Sequence, residues 1–127
     1  MLTKIVLWVS AIAFTSYGIA CLLSPELPAN YAGLAIIRGD GYAELGAMYG
    51  GLQTGFGLFM FLAIFNADLQ RPALLLLVMT IGLLGIARLY STVNADGELG
   101  FYTWGAATYE LLTATLAALA LRMTKTH

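Results

Sequence analysis

Four polar side chains stand inside otherwise apolar, nearly uncharged stretches of this sequence, and their types decide what chemistry is open to it. Glu44 and Gln53 fall within 41–65, Arg88 within 72–92, and Glu110 at the centre of 99–121. Tyr49 and Tyr109 stand close by as hydrogen-bonding hydroxyls. Ionisable groups in an apolar, membrane-like setting are costly and face a protein interior or a wet cavity. At about 1.5 Å per helical residue, Glu44 and Arg88 each lie about one turn from a span end, and Gln53 and Glu110 each about three turns in. Two pairings follow. Arg88 can meet Glu44 at similar depth, or reach inward to Glu110 and neutralise the deeper carboxylate. Paired, Glu110 is a fixed charge holding a bundle in register. Unpaired, it is an acid able to handle protons.

The elements that position these residues follow from composition. Of 127 residues, 60% are hydrophobic and 10% charged, against about 25% charged in an ordinary soluble domain. Mean hydropathy is +0.82. Six Lys/Arg and seven Asp/Glu cannot cover a soluble domain with a polar shell, which excludes a soluble enzyme and a disordered chain. A net charge of −1 supplies no basic footprint for nucleic acid. Four segments of about 20 apolar residues, each enough to cross hydrocarbon, account for most of the chain. The spans predicted are 5–23, stopped by Ser24-Pro25; 41–65; 72–92, opened by Pro72 as a first-turn residue; and 99–121. The expectation is an all-α integral membrane four-helix bundle, one four-span domain over 1–127. A short helix on the outer surface, bearing Tyr31, Leu34 and Ile37 at three-residue spacing, is expected between helices 1 and 2.

Lys4, Arg71, Arg122 and Lys125 fall on one side of this topology and Arg38 on the other, with Glu26, Asp40, Asp96 and Glu98. By the positive-inside rule both termini and the 66–71 loop face the cytoplasm, placing the chain in a bacterial inner membrane. The run after Lys4 has the look of a signal peptide but is read as the first span. One cysteine, Cys21, and one histidine, His127, exclude an internal disulfide and a His-rich metal or haem site. No metal and no cofactor are expected. At about 100° per residue, Glu44, Met48, Gly51 and Gly55 share one face of helix 2, and Gly46, Tyr49, Gln53 and Gly57 a nearly opposite one. The pairs Gly46/Gly50 and Gly51/Gly55 fit the small-xxx-small pattern of close helix approach. Helix 1 aligns Ser10, Phe14, Tyr17 and Cys21; helix 4 surrounds Glu110 with Thr103, Ala106, Thr113, Ala114 and Ala117. Trp8, Tyr42, Tyr102 and Trp104 read as interfacial anchors.

The run Ala43-Glu44-Leu45-Gly46-Ala47-Met48-Tyr49-Gly50-Gly51-Leu52-Gln53 resembles the second-helix signature of a bacterial four-helix membrane family, domain of unknown function 4345. That pattern joins a glutamate to a Tyr-Gly-Gly five residues on, then a Glu or Gln. It continues with an arginine before an Asp-Gly turn, matched by Arg88 and Asp96-Gly97, and a glutamate in the last helix, matched by Glu110. Many members carry arginine where this chain has Gly46, so any ion pair made there is missing. The resemblance implies the fold and the weight of the polar set, and supplies no reaction.

The polar cluster of Glu44, Tyr49, Gln53, Arg88, Tyr109 and Glu110 is therefore the candidate site. Small size and the absence of soluble domains point to a non-enzymatic protein. It would bind a membrane lipid or a quinone-like ligand, or serve as accessory subunit of a larger membrane complex. The alternative is a proton-coupled small-molecule carrier using Glu110. Four helices are too thin a wall for alternating access, so that reading requires a homo-oligomer. An enzyme is the weakest reading. Glu44 and Glu110 as acid and base stand about two turns apart in depth, without a metal set, a nucleophile–base pair or a phosphate-cradling loop.

Overall fold

A computed structural model of the protein describes residues 1–124, so Lys125 and His127 lie outside the described residues. Every regular element among these is helical: α1 (Leu2–Leu23), α2 (Glu26–Ala32), α3 (Gly39–Leu45), a π-turn (Gly46–Gly51), α4 (Leu52–Phe65), α5 (Ala67–Leu76), a second π-turn (Leu77–Ile81), α6 (Gly82–Val93) and α7 (Phe101–Met123). The π-turns join their flanking helices, leaving four helices long and apolar enough to cross a membrane: Leu2–Leu23, Gly39–Phe65, Ala67–Val93 and Phe101–Met123. Hydrocarbon offers no water to backbone groups, so a spanning segment must satisfy them internally, and a helix does so within itself. The protein is all-α, with four helices of the membrane-spanning type.

Local signals explain where the helices differ from the spans read off the sequence. The third begins at Ala67, five residues before Pro72, because Asn66 is an N-cap whose side chain accepts from the Asp68 amide at 3.0 Å. Pro72 therefore lies inside the helix. A short helix does stand between the first two long ones but ends at Ala32, because Gly33 adopts the left-handed conformation (φ 69°) that stops it. Tyr31 is thus helical, while Leu34 and Ile37 follow in an irregular stretch. The Asp96-Gly97 turn also relies on glycine, with Gly97 at φ 102°.

The helices group into two compact units, Trp8–Leu62 and Met1–Leu7 with the chain from Ala63 onward. In the first, α1 runs antiparallel to α3–α4 in a register set by glycine. A Cβ on Gly18 would stand 2.5 Å from the Thr54 amide nitrogen, and one on Gly50 2.7 Å from the Leu22 Cα. One on Gly57 would run into the backbone of Thr15. Edge-to-face contacts of Trp8 with Phe61 (5.5 Å) and Phe14 with Phe56 (6.2 Å) line the same seam. This register puts Leu23, the end of α1, level with Tyr49. Gly39 lies ten residues further, so α3 projects about 15 Å past its neighbour. Pro25 packs against Gly46 and Ile36 approaches Gly41, so the connection climbs beside that projection.

In the second unit α5 and α6 pack along α7. Arg71 Nη1 donates to the carbonyls of Thr124 (3.1 Å) and Leu121 (3.4 Å), capping the C-terminal end of α7. The hydroxyls of Thr3 and Thr124 lie 3.3 Å apart. The start of α1, the beginning of α5 and the end of α7 therefore share one end of this unit.

The glycine seam makes a directional prediction. Gly57→Ala forces a methyl against Thr15 backbone and costs about 1–3 kcal/mol, the range for overpacking. Gly55, with nothing within 4 Å of its missing Cβ, accepts alanine and gains up to about 1 kcal/mol of helix propensity. Unfolding of the two variants in detergent measures the difference. Equal effects would contradict the seam.

Candidate functional site

The deep carboxylate is answered. Arg88 Nε donates to Glu110 Oε2 at 2.9 Å and Nη2 to Oε1 at 2.6 Å, a two-pronged pair matching the planar guanidinium to the planar carboxylate. Glu110 lies two residues from the middle of α7, and 8% of its side chain is exposed, against 22% for Arg88. The Arg88 guanidinium carbon also lies 5.9 Å from the centre of the Tyr102 ring, which contributes a cation–π contact.

Small residues make this meeting possible. A Cβ on Gly85 would stand 3.2 Å from the Glu110 Cβ and 3.0 Å from the Leu111 Cδ2, and one on Gly82 3.4 Å from the Ala114 Cβ. With α6 and α7 in near backbone contact there, the long Arg88 side chain starts within reach of Glu110. Around the carboxylate α7 buries Ala107, Thr113, Ala117 and Ala120. Tyr109, next to Glu110, is half-buried, with its hydroxyl beside Thr113.

Of the six residues singled out from sequence, Arg88, Glu110 and Tyr109 belong to this unit, and the first two form the pair. Glu44, Tyr49 and Gln53 belong to the other. Glu44 is exposed, in the projecting stretch of α3 past the end of α1; Tyr49 and Gln53 are half-buried. Gln53 stands level with Ile19, four residues from that end. Of the two pairings open to Arg88 from sequence, the one with Glu110 is formed. Tyr102, read as an interfacial anchor, is a site residue that sequence reasoning missed; its place two turns before Glu110 on one helix was the available signal. Among the described residues no group of three or more His, Cys, Asp or Glu could hold a metal ion.

Both carboxylate oxygens are engaged by the guanidinium, which lets the pair stand between two apolar helices. Its chemistry is that of a clamp: Glu110 buried, the Arg88 side chain partly exposed, an aromatic ring alongside.

The profile of the family described as domain of unknown function (DUF4345) matches residues 2–121, and the chain belongs to that family. No curated protein and no solved structure matches it.

Removing one partner leaves a buried charge unanswered. Glu110→Gln and Arg88→Gln should each lower stability by about 3–5 kcal/mol. The double variant should cost much less than the two together, because it leaves no lone charge. Equilibrium unfolding of all four forms in detergent checks this, and additive losses would show that the two groups do not interact.

Proposed function

We propose that this is a non-enzymatic protein of the bacterial inner membrane, with both termini cytoplasmic, whose Arg88–Glu110 pair receives the polar head of a lipid- or quinone-like molecule. The observation that carries the reading is a partly exposed arginine side chain held in a two-pronged pair by a buried carboxylate beside the Tyr102 ring. A pre-oriented cation with an aromatic flank suits a carbonyl, hydroxyl or phosphate group carried on an apolar tail. The placement of Lys4, Arg71 and Arg122 near one set of helix ends supports the orientation.

A second reading, an accessory subunit of a larger membrane complex, has its own support. Tyr31, Leu34 and Ile37 are 65%, 50% and 89% exposed along the connection beside the projecting α3. Apolar side chains there would suit contact with a neighbouring protein. The carrier reading finds less support, because a proton on Glu110 would have to displace a guanidinium bound through both oxygens.

Native mass spectrometry of the protein released in lipid nanodiscs tests these readings. The ligand reading expects a retained amphiphile whose occupancy falls in Arg88→Lys, which keeps the charge but loses the two-pronged geometry. The subunit reading expects a second polypeptide. A chain always bare and alone would contradict both. The carrier reading stands only if pH-dependent transport in proteoliposomes disappears in Glu110→Gln.

A further inference from the structure

The second π-turn has a consequence for where Arg88 stands. Three buried residues lead into it or open it, Ala73, Leu74 and Leu77, and three close it or follow, Ile81, Gly82 and Gly85. Each of the first set has its counterpart eight residues on. In an uninterrupted α-helix eight residues turn about 800°, roughly 80° past two full turns, whereas seven return to within about 20°. The unbroken α7 shows the ordinary spacing: its buried Glu110 and Ala117, and Thr113 and Ala120, are seven apart. A π-turn, with its i→i+5 bonds, takes up one additional residue. Eight residues across Leu77–Ile81 thus do the angular work of seven, and the buried face stays continuous. The Thr80 hydroxyl, donating to the Leu76 carbonyl at 2.7 Å, supports the backbone at this turn.

The same count applies to Arg88, eleven residues after Leu77. Without the π-turn it would stand about 20° from Leu77, in the middle of the buried face; with one residue absorbed it stands about 80° to the side. This agrees with a side chain 22% exposed meeting a glutamate 8% exposed. We infer that the π-turn at Leu77–Ile81 is a one-residue register device that sets Arg88 at the margin of the α6–α7 seam, so that it grips Glu110 from the side. The inference concerns the placement of the pair and does not depend on any ligand.

Single-residue deletions test it, with the non-additivity of Arg88→Gln and Glu110→Gln in apparent melting temperature as the readout of contact. Deleting Met79, an exposed residue of the π-turn, should let the turn relax to α-helix, leave Arg88 facing as before and retain the coupling. Deleting Leu84, exposed and beyond the turn, in addition to Met79 leaves no π-turn to absorb the second loss and should swing Arg88 by about 100°, so that the coupling is lost or the chain fails to fold. The proposal is overturned if the Met79 deletion is unfolded or uncoupled, or if the double deletion keeps the full coupling. A ligand assay that fails while this contrast holds would sink only the functional reading.

Discussion

A charge placed in the middle of an apolar helix must be answered from another helix, and in this protein the requirement falls on Glu110. Much of the second unit can be understood from it. The glycines of α6 bring two backbones close enough for an arginine to span the gap. The small residues of α7 leave room around the carboxylate. Tyr102 adds a ring beside the cation. An ion pair of this kind contributes less to net stability than its Coulomb energy suggests, since both groups are desolvated. Its two-pronged geometry ties α6 to α7 at one level of the helix pair.

The first unit solves its packing by another route. Its seam is held by backbone proximity at Gly18, Gly50 and Gly57 together with two edge-to-face aromatic contacts. Van der Waals contact of this sort is what membrane helices rely on when no hydrophobic gain separates protein from lipid. Gly51 and Gly55 show that glycine spacing alone does not identify a seam. They have the same small-xxx-small form, but apart from a carbonyl of their own helix 4.0 Å from Gly51 nothing approaches their missing Cβ positions.

The four long helices were legible in the sequence because apolar runs of this length with at most one charge each have few other uses, and the Arg88–Glu110 pairing was legible as one of two options. The rest was hidden for identifiable reasons. Helical-wheel reasoning assumes 100° at every residue, and the π-turns at Gly46–Gly51 and Leu77–Ile81 violate that assumption where the polar residues need placing. Sequence gives the depth of Glu44 only as a distance to its own helix end, whereas the register against α1 puts it past the end of that neighbour. Tyrosines near span ends commonly are interfacial anchors, and only the direction of the Arg88 side chain gives Tyr102 a second role. Proline suits a first turn, which makes Pro72 look like a helix start, but the Asn66 cap starts the helix five residues earlier.

The central claim is direct contact between one guanidinium and one carboxylate. Solid-state NMR of the protein in bilayers, with arginine side-chain nitrogens labelled with ¹⁵N and glutamate carboxyl carbons with ¹³C, measures it through their dipolar coupling. The account predicts a strong short-range coupling that disappears in Glu110→Gln. No such coupling in the folded wild-type protein, or one that persists unchanged in that variant, would contradict it.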